Sequence, residues 1–262
     1  MEFEFKKSLG QNFLQDKNIL KKIVDVSNIK DNSLVVEIGP GSGNLTKEIA
    51  KVASIVLCYE IDKRLEPILK NNLQVFNNID IIFDDFLKRN INNDLNNYQY
   101  DNLYVIANLP YYITTPIIEK IIESNLPFQS ITVMVQKEVG DRFAATPKTK
   151  EYNSLTVFLN YYYNIKKEFI VSKNAFIPKP NVDSIVVTLK KKDNILYLKD
   201  KDLFNKLLKD SFRFKRKNIK NNLNNYDLKI IEKILQKYGF SLTSRAEELP
   251  LEVFVEIVNN LE

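Results

Sequence analysis

The sequence predicts an α/β protein: a mostly parallel sheet of seven strands with an antiparallel terminal strand, followed by a small α-helical domain. Three observations carry that prediction. Over the first 190 residues short β-rich runs alternate with stretches of helical spacing, the pattern of a parallel sheet flanked by helices. Three of the chain's six glycines fall between positions 39 and 43, directly after the first such run. Beyond Lys192 the β signal stops and only helical spacing remains.

Taken in order, strands are predicted at residues 33–38, 54–60, 79–83, 102–107 and 131–135, each an apolar run of strand length. Helical stretches follow most of them, at 44–50, 64–76, 115–124 and 137–145. The runs at 166–171 and 182–189 have no ten-residue helix between them, so they fit a terminal antiparallel hairpin on the parallel sheet. Past the sheet, residues 203–212, 227–238 and 251–261 carry helical spacing, for example Leu228, Ile231, Ile234 and Leu235. Gly239 is placed to end the second of these as its C′ residue. The boundary falls near 190–198, giving domains 1–192 and 193–262. A chain of 262 residues suffices for both, with burial of roughly 70–75% of the unfolded surface.

Composition removes several chemistries. There is no histidine, which excludes a Ser-His-Asp triad, a histidine general base and histidine-ligated metal. Cys58 is the only cysteine and sits in an apolar strand-like run, so it reads as a small buried side chain; no disulfide and no metal site are expected. No apolar run approaches the roughly 18–20 residues that span a bilayer, and residues 1–7 carry no hydrophobic leader, so a cytosolic protein is predicted. The net charge of +5 is unevenly placed. From Lys190 to Lys220 twelve Lys/Arg face four Asp, a net +8 against −3 for everything else. A basic block of that kind suggests a polyanionic partner, with a solvated lysine-rich face as the plain alternative.

The chemistry concentrates at predicted strand ends. Residues 108–111 read Asn-Leu-Pro-Tyr after the apolar run 103–107. An exocyclic aromatic amine is a poor nucleophile because its lone pair is delocalised into the ring. A site that alkylates it needs acceptors for the amine protons and a flat surface for the base. Asn108 offers a side-chain acceptor, the Leu109 carbonyl a backbone one and Tyr111 a stacking face, with Pro110 fixing the turn. Upstream, Glu37-Ile-Gly39-Pro-Gly41-Ser-Gly43 allows a tight turn and close approach to a ligand. It is neither a dinucleotide fingerprint, since Asn44 stands where the last glycine would fall, nor a P-loop. The next strand ends at Glu60, where a carboxylate can accept from both ribose hydroxyls of a nucleoside, and the third at Asp84-Asp85, where one could accept from an adenine amine. Singly each acid reads as a capping or solvated residue; together these signals predict S-adenosylmethionine as cofactor.

With these residues in place the chain resembles the ribosomal RNA adenine dimethyltransferases, and most of all their universal branch, which modifies two adjacent adenosines in the 3′-terminal hairpin of small-subunit rRNA. The resemblance covers almost the whole chain through Gly10-Gln-Asn-Phe-Leu14, the glycine-rich loop, residues 108–116, 136–142, 176–184, 214–223 and 245–249. It implies a Rossmann-like class I S-adenosylmethionine-dependent methyltransferase fold. It implies further that Asn12 and Leu14 close over the donor, that Gly39 lines its methionine moiety, that Glu60 holds its ribose and Asp85 its adenine, and that Asn108 bridges donor and acceptor. Gly41 and Ile61 count among the donor-binding residues, and Asp84 leaves the adenine contact ambiguous by one position. Tyr111 and Phe176 would sandwich the flipped base, and Arg213, Lys215, Arg216 and Lys217 would bind RNA. The implied partner is small-subunit rRNA or the assembling 30S subunit. Leu9 and Asn153 depart from the family's usual Phe and Gly at positions that carry no chemistry.

Three other readings stay open on the sequence. The antibiotic-resistance branch methylates large-subunit rRNA, but its tetrapeptide is more often Asn-Ile-Pro-Tyr and it is not expected to carry 214–223 or 245–249. A non-catalytic RNA-binding assembly factor would have no need of Asn108, Tyr111 and Glu60. A DNA adenine methyltransferase would need a base-reading domain that nothing in the chain resembles.

Overall fold

The computed structural model describes residues 12–261, so Gly10 and Gln11 of the N-terminal motif, and Leu9, lie outside the described residues. The chain divides into two compact units, one made of residues up to 140 with 166–190, the other of 141–165 with 191 onward.

In the sheet unit, β1 (Phe13–Leu14), α1 (Lys17–Ser27), β2 (Ser33–Ile38), α2 (Asn44–Ala50), β3 (Ile55–Tyr59), α3 (Glu66–Leu73), β4 (Ile79–Ile82), α4 (Ile91–Leu95), β5 (Asn102–Asn108), α5 (Thr114–Glu123) and β6 (Phe128–Gln136) follow one another, then α6 (Lys137–Phe143). After α7 (Ser154–Tyr162) come β7 (Tyr163–Val171), β8 (Phe176–Ile177) and β9 (Ser184–Lys191). Seven strands form one sheet in the order β4-β3-β2-β5-β6-β9-β7. The pairs β3–β4, β2–β3, β2–β5 and β5–β6 are parallel, and β6–β9 is antiparallel with Met134 opposite Val186. The predicted sheet is therefore present, with the two late strands side by side at one end. Every residue of β2 is buried, as a strand covered on both faces requires, and its β-branched valines suit that position. From β2 the chain runs outward to β4 and then crosses back to β5. This reversal opens a crevice at the carboxyl ends of β2 and β5, where open α/β sheets hold their ligands.

Local chemistry sets the helix ends. The Asp16 carboxylate accepts from the Asn18 and Ile19 amides at 2.9 and 3.2 Å to start α1, and Asn28 in the left-handed region ends it. A second, two-stranded sheet pairs β1 with β8, setting Leu14 opposite Phe176.

The helical unit contains α8 (Lys201–Ser211), α9 (Ile219–Asn222), α10 (Leu228–Lys237) and α11 (Leu251–Asn260) around a core of Phe204, Leu207, Ile231, Leu235, Phe254 and Ile257. Gly239 ends α10 as expected, at φ +76°, with the Phe240 amide donating to the Leu235 carbonyl and the Gly239 amide to that of Gln236. The predicted division at 192 needs one correction: residues 141–165 belong with the helices. Tyr152, Val157 and Tyr161, on and just before α7, are buried in the helical core, and the Tyr152 hydroxyl donates to the Leu249 carbonyl at 2.9 Å.

Candidate active site

The loop after β2 turns through Gly39 at φ +72° and Gly41 at φ +60°. A Cβ added at Gly39 would meet nothing within 4 Å, because that backbone borders open space; one added at Gly41 would stand 2.5 Å from the Phe13 ring. The first glycine leaves room for a ligand and the second for an aromatic wall.

Glu60 follows β3 and is 4% exposed. Its Oε2 accepts from the Gly41 amide at 3.1 Å and its Oε1 from the Asp62 amide at 2.8 Å. Burial raises its pKa, and those amide hydrogen bonds oppose the rise. The carboxylate is thereby fixed in place at the cleft as an acceptor, the kind of group a vicinal diol can donate to.

At the end of β5 the Asn108 Nδ2 donates to the Asn12 carbonyl at 3.1 Å, which orients the amide and leaves Oδ1 as its acceptor. The Leu109 amide donates to the Met134 carbonyl at 3.1 Å, and the Thr114 hydroxyl to the Pro110 carbonyl at 3.1 Å, so the tetrapeptide is pinned on both sides. The Tyr111 hydroxyl lies 2.7 Å from Ser184 Oγ, and burial pushes its phenol up.

Asn12, Gly39, Gly41, Glu60, Ile61 and residues 108–111 line one cleft with about 600 Å³ of atom-free space, its open mouth included. Leu14 lines an adjoining hollow that shares Phe13, Gly39 and Asn108 with the cleft. Three further predicted residues line neither the cleft nor the hollow. Phe176 is 2% exposed and packed in the same core as Leu14, its partner across the β1–β8 pair, so it is not presented as a second face for a base. Asp84 pairs with Arg89 at 3.5 Å, and Asp85 caps the Leu87 amide at 2.9 Å. Tyr112, a cleft residue that is 56% exposed, has its phenol pushed up by partial burial and, less, by the Asp85 charge.

Sequence reasoning missed Phe13, Leu65, Tyr112 and Ile113, which also line the cleft. Phe13 and Tyr112 sit within the motifs already singled out, and their neighbours drew the attention. Glu37 was read only as the acid before the glycines. It is 1% exposed, lines the adjoining hollow, and burial pushes its carboxyl up to about 7. The Cys58 thiol donates to its Oε2 at 3.6 Å, so Cys58 is the buried side chain expected.

In the helical unit Arg213, Lys215, Arg216 and Lys217 are all exposed on the turn between α8 and α9. The Lys215 ammonium donates to the Lys150 carbonyl at 3.0 Å.

The chain is similar to known proteins over nearly its whole length. The family model for ribosomal RNA adenine dimethylase matches residues 2–262. A protein of Bacillus pumilus named ribosomal RNA small subunit methyltransferase A is 44% identical over 269 residues, covering 99% of this chain and 92% of that one. The protein of that name from Streptococcus pneumoniae is also 44% identical, covering 99% and 93%. Among solved structures, a dimethyladenosine transferase from Plasmodium falciparum superposes with a TM-score of 0.79 at 26% identity, over 93% of this chain and 95% of that one. The 23S rRNA methyltransferase ErmE gives 0.74 at 25%, over 95% and 99%. The chain belongs to the ribosomal RNA adenine dimethylase family.

Proposed function

We propose that the protein transfers methyl groups from S-adenosylmethionine to the exocyclic N6 of two adjacent adenosines in the 3′-terminal hairpin of small-subunit rRNA, during assembly of the small subunit in the cytoplasm. The observation that carries this reading is Asn108: its amide nitrogen is engaged by the Asn12 carbonyl, so its oxygen is the acceptor at the cleft. The 44% identity to proteins named for the small subunit, against 25% to ErmE, favours the small-subunit branch over the large-subunit one.

The residues fit the donor. Glu60, fixed by two backbone amides, accepts from its ribose hydroxyls, and the open side of Gly39 leaves space for its amino-acid tail. When bound, the sulfonium donor supplies an electrophilic methyl group and leaves as a neutral thioether. Asn108 Oδ1 and the Leu109 carbonyl accept the N6 protons, turning the nitrogen lone pair toward that methyl, while Tyr111 supports the base. The chain has no histidine, and the alkylated nitrogen is acidic enough to release its proton to water. Exposed Arg213, Arg216 and Lys217 neutralise rRNA phosphates.

The test is tritium transfer from labelled donor into purified small subunits, large subunits and naked rRNA, with the product nucleoside identified. Dimethyladenosine in small-subunit RNA supports the reading. Label confined to large subunits, or none anywhere, overturns it.

A further inference from the structure

The turn between α8 and α9 presents one side chain that phosphate binding leaves without a role. Phe214 is 54% exposed, although four of its near neighbours in sequence are cations. Phe212, two residues earlier, behaves as an aromatic in a helical core should: it is half-buried, with ring centroids 6.0 Å from Tyr152 and 5.8 Å from Phe254.

The exposure of Phe214 is not that of a loose loop. Its amide donates to Asn222 Oδ1 at 3.2 Å, while Asn222 Nδ2 donates to the Ser211 carbonyl at 2.7 Å and to that of Phe214 at 3.3 Å. The Lys217 amide donates to the Phe214 carbonyl at 2.8 Å. One side chain on α9 therefore ties down both ends of the turn and holds Phe214 outward. The Arg213 guanidinium sits 5.3 Å from the ring centroid, close enough for a cation–π contact.

We infer that Phe214 is a stacking platform for an unpaired RNA base, set among cations that take the flanking phosphates. An aromatic face accepts any base, and surrounding Arg and Lys supply the field that brings the polyanion to it. Duplex RNA keeps its bases stacked on one another, so the partner is a single-stranded, looped or bulged segment. The inference rests on the RNA-binding reading above and adds to it a contact that salt does not screen.

That last property gives the test. Binding of the full-length protein to a transcript of the small-subunit 3′-terminal hairpin is measured at several salt concentrations for wild type, F214A, F214L and F214W. Loss of one stack should weaken F214A and F214L roughly 5- to 150-fold at every salt, leaving the slope of log K against log salt unchanged. F214W should bind as wild type. Because the chain contains no tryptophan, its emission reports on that one position, and RNA should change it. Wild-type affinity in F214A, leucine serving as well as an aromatic ring, or a tryptophan blind to RNA would each overturn the inference while wild type still binds. No binding by wild type would instead remove the RNA-binding reading, and this inference with it.

Discussion

Glu60, at the end of β3, is 4% exposed with a backbone amide on each oxygen, whereas Arg213, Lys215, Arg216 and Lys217 all stand in solvent. The same contrast runs through the two regions. Asn108 and the tetrapeptide around it are fixed by Asn12, Met134 and Thr114, while the basic turn is held mainly through its backbone, by Asn222, with Lys215, one of its four cations, donating to the Lys150 carbonyl. A group that must meet one developing charge gains by being dry, oriented and unable to reorganise. Groups that displace counterions from a polyanion gain by number and by staying wet, since each contact is individually weak. The two regions should therefore fail differently: the sheet rim through single residues, the turn through sums.

The largest single-residue effect belongs to Asn108. Asn108→Ala should lower kcat by on the order of 10²–10³, the scale of losing one polar group that acts mainly in the transition state. Unchanged kcat would mean that the buried rim is not where single residues decide, and the contrast would fall. Tyr111 comes next. Tyr111→Ala should weaken RNA turnover by roughly 5- to 150-fold, the size of one base–aromatic contact, and intact turnover would return Tyr111 to ordinary packing on Ser184. On the turn, neutralising Arg213, Arg216 and Lys217 together should flatten the slope of log K against log salt by about two to three units while leaving donor affinity nearly unaltered. Lys215, already donating to Lys150, is left in place. An unaltered slope, or equal loss of donor and RNA, would make the turn a plain solvated surface.

How far these regions could be read in advance follows the same division. The strand at 33–38 and the helix at 44–50 coincide with β2 and α2, because an apolar run and a glycine-rich turn are local signals. Glu60 and Asn108 were legible for the same reason: each sits where a strand pattern stops. Residues that depend on remote pairing were not. Phe176 owes its burial to Leu14, far away along the chain, through two-residue strands with no pattern of their own. The helix α7 was overlooked because Ser-Leu-Thr-Val-Phe-Leu-Asn-Tyr-Tyr has no polar face to contrast with an apolar one. α1, with Leu20, Ile23, Val24 and Ser27 buried on one side, shows the opposite case, a readable spacing that lay beside a louder motif.

The smallest expected effect is on stability, and it sharpens the contrast from the buried side. Glu37 is 1% exposed, and burial is the main reason its carboxyl is pushed up from 4.5 to about 7; Thr46 and Cys58 oppose the rise, and the like charge of Glu60 adds the least to it. Since the folded value is raised, the folded protein holds this proton across a window in which the unfolded chain has released it. The stabilising contribution is whole below about 4.5, declines as pH rises toward 7, and is flat beyond. A Glu37→Gln variant keeps the shape and an acceptor for the Cys58 thiol but carries no titration. Its Tm should fall less than that of wild type between pH 5 and 7, by a few degrees, since one kcal/mol moves a domain of this size about 2–4 °C. Parallel curves for the two proteins would mean that Glu37 stays charged in the fold, and that the rim tolerates a buried carboxylate beneath its glycine loop.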